Sequence, residues 1–182
     1  FFMTNTAENN KRIAKNTLLL YFRMLLTMAV TLYTSRVILA TLGIEDFGIY
    51  NAVAGFITMF TSITGAMSTA TQRFLTYALG EKNTKQLAKT FNMAIEIHIL
   101  MAIIILILGE SIGVWFLYEK MTIPIERLQA AFWVLQSAIF STMIMLVSIP
   151  YNALIIAHEK MQTFAWISII EVVLKLLIVF LL

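Results

Sequence analysis

The stretch Ile99-Leu100-Met101-Ala102-Ile103-Ile104-Ile105-Leu106-Ile107-Leu108 is apolar throughout and carries no charge. It lies at the centre of a longer apolar segment, residues 93–117. A helix that crosses the hydrocarbon core of a bilayer needs about 20 mostly apolar residues. The segment therefore predicts a transmembrane helix, and this pattern decides the fold wherever it is repeated along the chain.

Other segments repeat the pattern, with comparable length and few charges. They cover residues 17–42, 48–75, 128–157 and 163–182. Transmembrane strands would instead give alternating segments of about ten residues. The sequence therefore predicts an all-α polytopic membrane helix bundle with about five transmembrane helices, preceded by a tail at residues 1–16.

The composition also indicates a membrane protein. Of 182 residues, 60% are hydrophobic and 13% are charged, whereas a soluble domain has roughly 25% charged residues. The chain has no cysteine, so disulfides and cysteine-ligated metals are excluded. The net charge of +3 is too small to indicate a nucleic-acid partner. The first apolar run is too long for a signal peptide and has no small-residue cleavage pattern.

The distribution of basic residues predicts which way round the chain lies. Lys and Arg near span ends mark the cytoplasmic side. With the N-terminus inside, the inner segments carry eight basic residues: Lys11, Arg12, Lys15, Arg73, Lys82, Lys85, Lys89 and Lys160. The outer ends carry three: Arg36, Lys120 and Arg127. We therefore predict a cytoplasmic N-terminus.

Ionisable residues inside predicted spans are candidate functional residues, because each costs at least about 2.5–3.5 kcal/mol at mid-depth. Arg23 lies roughly 9 Å into the first span, where it either faces a pore or extends to the inner headgroups. Glu171 and Lys175 lie roughly 12 and 18 Å into the last span, four residues apart and so on one helix face. They either neutralise each other or line a polar cavity.

Glu110 and Arg36 lie nearer the outer surface. Glu110 belongs to the segment Gly109-Glu110-Ser111-Ile112-Gly113, whose small residues allow close helix approach. Depth alone favours an outer vestibule for Glu110 and an interface anchor for Arg36. The sequence has no metal-ligand spacing, no phosphate-binding glycine loop and no nucleophile–base pair. We therefore predict no catalytic residues, no metal and no cofactor.

Three stretches resemble one family of bacterial polysaccharide exporters. Ser35–Tyr50 (SRVILATLGIEDFGIY) is similar to the outer turn between that family's first two spans. Ala70–Leu75 with Gly80–Asn83 resembles the inner end of its second span, and Ile149–Lys160 the end of its fourth. The family is the Wzx-type O-antigen flippases, within the superfamily of multidrug and toxic-compound extruders and lipid II flippases.

The resemblance implies a fold and a function. Members have twelve or more spans in two lobes, so the chain would be the N-terminal lobe of a two-lobed transporter. The chain also stops inside an apolar run at Phe180-Leu181-Leu182, which we interpret as truncation of a longer protein. Such proteins, in the bacterial inner membrane, flip undecaprenyl-pyrophosphate-linked oligosaccharide to the periplasmic leaflet. Membrane lipids and the polysaccharide polymerase and chain-length machinery would be their partners.

The implied mechanism assigns roles to the intramembrane charges. A cavity that receives a diphosphate requires cations, for which the candidates are Arg23, Lys175 and Arg36. Glu171 and Glu110 are candidates for charge balance or for carrying a coupling proton. Two alternatives stay open: a drug or cation extruder of the same superfamily, which would favour acidic groups in this lobe, and a non-transporting membrane assembly subunit.

Overall fold

The computed structural model describes residues 3–181, apart from the side chains of residues 3–9, 12 and 61. All regular structure in that range is helical, which confirms the predicted fold class. The helices are α1 (Met3–Thr58), α2 (Thr61–Gly80), α3 (Thr84–Leu108), a π-helical turn (Gly109–Gly113), α4 (Val114–Glu119), α5 (Ile125–Ala157) and α6 (Met161–Leu181).

Helices of membrane-spanning length and apolarity account for most of the described chain. They are Ile13–Thr58, Thr84–Glu119, Ile125–Ala157 and Met161–Leu181. Helix α2 has 20 residues, but it is not among these helices. Thr, Ser and Gly make up much of its sequence and lower its hydropathy. Together these features establish a multi-pass membrane helix bundle.

Two interruptions divide the first 80 residues. Gly43 has φ 79° and ψ 171° and is the one non-helical position inside α1. This backbone region is essentially restricted to glycine, so Gly43 separates the two halves of α1 without a loop. The second interruption is a turn at Met59–Phe60, where the Thr64 N–H donates to the Phe60 carbonyl at 3.2 Å. The predicted span 48–75 contains this turn.

Between α2 and α3 the chain reverses over three residues. Lys82 has φ 54°, and the Asn83 side-chain oxygen accepts hydrogen bonds from the backbone N–H groups of Lys85 and Gln86 at 3.1 and 3.2 Å. Asparagine is a favoured N-cap because it satisfies donors that have no partner within the helix. The cap therefore begins α3 at Thr84.

The chain forms two compact units, which we name after their position in the sequence. The terminal unit comprises the chain up to Gly43 and the segment from Glu159 onwards, and the central unit comprises Ile44–His158. In the central unit α5 contacts three successive apolar clusters, which contain Leu135 with Val53 and Leu117, Leu146 with Ala102, and Ala153 with Leu75. Helix α5 is therefore the axis of the central core.

In the terminal unit, the first half of α1 runs beside α6. The Arg23 guanidinium lies over the Phe164 ring, with 4.2 Å from Cζ to the ring centroid. The rings of Tyr33 and Phe180 have centroids 6.5 Å apart. Since residue numbers rise together along both helices, α1 and α6 run parallel.

Candidate functional site

Arg23 is a half-buried cation on the membrane-spanning part of α1. Its Nε atom is buried and has no hydrogen-bond partner in the described part of the chain. The contact with Phe164 is a cation–π interaction, of a kind worth about 0.5–2 kcal/mol depending on desolvation. The Phe164 ring thus contacts the guanidinium group of Arg23. The Nε atom of that group has no hydrogen-bond partner among the described residues.

Arg23 belongs to a groove on one face of α1. The groove has a volume of about 560 Å³. Its lining combines apolar side chains with Arg23 and two threonines: Leu20, Arg23, Met24, Thr27, Met28, Thr31 and Leu32. Arg23, Thr27 and Thr31 are four residues apart in sequence and so lie on one face. They form a polar track along an otherwise apolar helix.

The other predicted charges of the terminal unit are exposed. Arg36 lies on α1 seven residues before Gly43, and Glu171 and Lys175 lie on α6. No ion pair within 4 Å joins Glu171 to Lys175, although both are described and share a helix. The structure therefore does not bring them into contact, and no hydrogen bond or ion pair joins either of them to Arg23 or Arg36 among the described contacts.

Glu110 belongs to the central unit, where it lies in the π-helical turn Gly109–Gly113. Its Oε2 accepts a hydrogen bond from Nε2 of Gln136 on α5, at 3.1 Å. Single π-helical turns often occur at functional sites, because the extra residue redirects a side chain. The turn and the Gln136 contact together hold the carboxylate in a defined position in an apolar segment.

The glycines of that turn let two helices approach closely. A Cβ at Gly109 would lie 2.7 and 2.8 Å from Cδ1 and Cγ1 of Ile139. A Cβ at Gly113 would lie 3.1 Å from the Phe56 ring. The close helix approach expected from these small residues is confirmed, and it brings Glu110 within hydrogen-bonding reach of Gln136.

An ion-pair cluster joins α5 to the start of the second half of α1. Nη1 of Arg127 lies 3.1 Å from Oε2 of Glu45 and 2.7 Å from Oδ1 of Asp46. Both contacts are ion pairs without hydrogen-bond alignment. The sequence analysis places Arg127 at an outer end and Glu45 and Asp46 in an outer turn, but it uses Arg127 only for orientation and predicts no contact between them.

His98 on α3 is a buried polar residue that is not among the candidate residues chosen from the sequence. It is 1% exposed, and its Nδ1 lies 2.7 Å from the Ala94 carbonyl oxygen. Its Nε2 has no hydrogen-bond partner in the described residues. Depth alone could not distinguish an interfacial histidine from one that lines a cavity.

The chemistry available to these residues is binding and charge movement. Among the described residues, no group of three or more His, Cys, Asp or Glu side chains could hold a metal ion. The candidate site is instead a set of cations, hydroxyls and carboxylates on helices that are long enough to cross a membrane.

Comparison with known proteins identifies the family. The MatE family model matches residues 15–181. No curated protein and no solved structure gives a significant match to the chain. Because the match covers nearly the whole sequence and agrees with the membrane helix bundle, the chain belongs to the MatE family, membrane transporters of the MATE/MOP superfamily.

Proposed function

We propose that the protein flips undecaprenyl-pyrophosphate-linked oligosaccharide, an O-antigen or capsule unit, across the bacterial inner membrane. The observation that carries the proposal is Arg23, a cation in a groove of a membrane-spanning helix, whose Nε has no hydrogen-bond partner among the described residues. The resemblance of Ser35–Tyr50 to polysaccharide exporters selects this substrate class within the superfamily.

The physical requirement for such a protein is strong. A diphosphate with an attached sugar chain would lose its hydration in hydrocarbon, and burying an unpaired charge is very costly. Guanidinium and ammonium groups replace that hydration with charge-assisted hydrogen bonds to phosphate oxygens. Arg23, in contact with Phe164, would supply such bonds, and the Thr27 and Thr31 hydroxyls would continue the polar face.

Lys175 and Arg36 would extend the cationic path. Because α1 and α6 run parallel, the three cations follow one another in the order Arg23, Lys175, Arg36 along the terminal unit. With the N-terminus in the cytoplasm, Arg23 meets the diphosphate first and Arg36 meets it last. A succession of cations lowers the barrier between the two membrane faces more evenly than one deep cation would.

The carboxylates supply the other half of a transport cycle. Glu171, one turn from Lys175, would balance that cation when substrate is absent. Glu110, held by Gln136, would carry a coupling proton near the outer face. Both roles use charge movement alone, in agreement with a transporter that is not an enzyme.

Complementation tests this proposal. The full-length protein is expressed in a flippase-deleted bacterium, and surface polysaccharide is read on a gel. We expect restored polysaccharide, abolished again by Arg23→Ala or Lys175→Ala at unchanged membrane levels. Lys120→Ala is the matched control, because Lys120 lies beside Trp115 at the end of α4, 5.4 Å from its ring centroid. Normal export with both Arg23→Ala and Lys175→Ala would contradict the cavity.

Glu110 is the specific reason to consider a second function, that of a drug or cation extruder, and the same bacterial strains can test it. A drug or cation extruder would need a carboxylate, so Glu110→Gln would abolish resistance to cationic dyes. Dye resistance that depends on Glu110, without restored polysaccharide in hosts of several sugar types, would replace the first proposal by this one.

A further inference from the structure

A second cavity, separate from Arg23, lies between α2 and α3 in the central unit. Its volume is about 490 Å³, within the range of small-molecule sites. The lining is mostly apolar: Met67, Ala70, Thr71, Phe74, Gln86, Thr90, Met93, Ala94, Ile97 and His98. None of these described lining residues is an Asp, Glu, Lys or Arg.

His98 is the most deeply buried polar residue of this lining. The Ala94 carbonyl oxygen can only accept a hydrogen bond, so Nδ1 of His98 carries the hydrogen and donates across 2.7 Å. In the neutral ring, Nε2 is then an acceptor. That atom is buried and has no partner among the described residues. A buried polar atom without a partner is costly, and a ligand that donates one hydrogen bond would remove this cost.

The apolar lining and the Nε2 atom of His98 together indicate the chemical class of a ligand. We infer that the α2–α3 cavity binds a neutral, lipophilic alcohol or phenol, whose hydroxyl donates to Nε2 of His98. The uncharged lining disfavours a phosphate or an organic cation, because either would be desolvated without a counter-charge. The apolar side chains take up the ligand's hydrocarbon part. This site is distinct from the diphosphate path proposed for Arg23, and it stands whether or not that proposal does.

Photolabelling in lipid nanodiscs tests the inference with a matched pair of competitors. The probe is a 4-alkylphenol with a diazirine at the end of its chain, and labelled peptides are mapped by mass spectrometry. Label is expected on lining residues such as Met67, Phe74 and Met93. We expect 4-hexylphenol to displace the probe about fivefold to tenfold more potently than 4-hexylanisole, which has no donor, because one neutral hydrogen bond is lost.

Variants distinguish the contribution of the hydrogen bond to His98 from the contribution of the cavity itself. His98→Phe should lower the potency of 4-hexylphenol to that of 4-hexylanisole, while His98→Gln, whose amide oxygen accepts, should restore part of the difference. His158→Phe, at the exposed histidine after α5, is the matched control and should change nothing. Ala70→Trp fills the cavity from an exposed position and should abolish the label even if the His98 variants fail to fold.

The opposite results overturn the inference. Label spread over lipid-facing residues outside α2 and α3, or label unchanged by Ala70→Trp, would show that the cavity is not the site. Equal potency of 4-hexylphenol and 4-hexylanisole on the unmodified protein would show that Nε2 of His98 accepts no hydrogen bond from the ligand.

Discussion

The terminal and central units treat their charged residues differently. In the central unit, Arg127 is paired with Glu45 and Asp46, and Glu110 is bonded to Gln136. In the terminal unit, Glu171 and Lys175 share a helix face without pairing, and the buried Nε of Arg23 has no hydrogen-bond partner in the part of the chain that the structure describes. Arg127 and Glu110 of the central unit thus have polar partners within the protein, whereas Glu171, Lys175 and Nε of Arg23 have none among the described residues.

This difference suggests a division of labour. A paired charge has its hydration replaced by a protein group, so it holds helices in register. An unpaired charge in a membrane span is costly, which makes it a candidate functional residue. We interpret the packed core along α5 and the Arg127 cluster as the structural part of the central unit, and we propose that Arg23 in the terminal unit meets the transported molecule.

The largest expected effect tests the close packing of the central unit. Gly109→Leu should lower the free energy of unfolding by about 3 kcal/mol, because overpacking a filled site strains its neighbours and Ile139 is 1% exposed. The midpoint of thermal unfolding in detergent measures this.

Gly65→Leu is the matched control for that substitution. A Cβ at Gly65, in the interior of α2, would have no heavy atom within 4 Å, so this variant should be as stable as the original. Equal midpoints for the two variants would mean that α3 and α5 are not closely packed at Gly109.

A smaller effect is expected at the boundary of the units. Gly43→Ala should cost about 2 kcal/mol, since φ 79° with ψ 171° strains any residue with a Cβ. Gly48→Ala, at a helical position with open space around its Cβ, is the control. If Gly43→Ala unfolds at the same temperature as Gly48→Ala, the break in α1 is not the native conformation.

The smallest effect concerns the Arg127 cluster. Arg127→Met should cost at most about 1 kcal/mol, because the side chains of Arg127, Glu45 and Asp46 are 35%, 67% and 42% exposed and such pairs are screened by water. A double-mutant cycle with Asp46→Asn measures the coupling energy. A coupling energy of zero would show that the ion pair between Arg127 and Asp46 does not stabilise the protein.

The sequence predicted the helical fold because membrane helices require long apolar runs, and hydropathy reads those runs directly. It did not predict the turn at Met59–Phe60, since Thr58-Met59-Phe60 contains neither Pro nor Gly. The π-helical turn was also missed, because it conserves hydropathy and changes only the hydrogen-bond register. Features that depend on backbone register leave little trace in composition.

Side-chain contacts between residues far apart in the sequence also could not be predicted. Glu110 is recognisable from the sequence as a charged residue in an apolar span, but its contact with Gln136 depends on the close helix approach at Gly109. Arg127 is recognisable from the sequence as a cation at an outer end. Its pairing with Glu45 and Asp46 depends on which faces of α1 and α5 meet, and the sequence does not give this. The candidate charges of the terminal unit were found from depth alone, and their roles stay predictions.

The most direct test of the division between the units is a thermal unfolding measurement with and without undecaprenyl pyrophosphate. For Arg23→Ala we predict a small fall in the midpoint without the lipid, because the contact with Phe164 is lost, and loss of the lipid-induced rise. For Arg127→Ala we predict a lower midpoint without the lipid and a retained rise. A full lipid-induced rise in Arg23→Ala, or its loss in Arg127→Ala, would contradict the account.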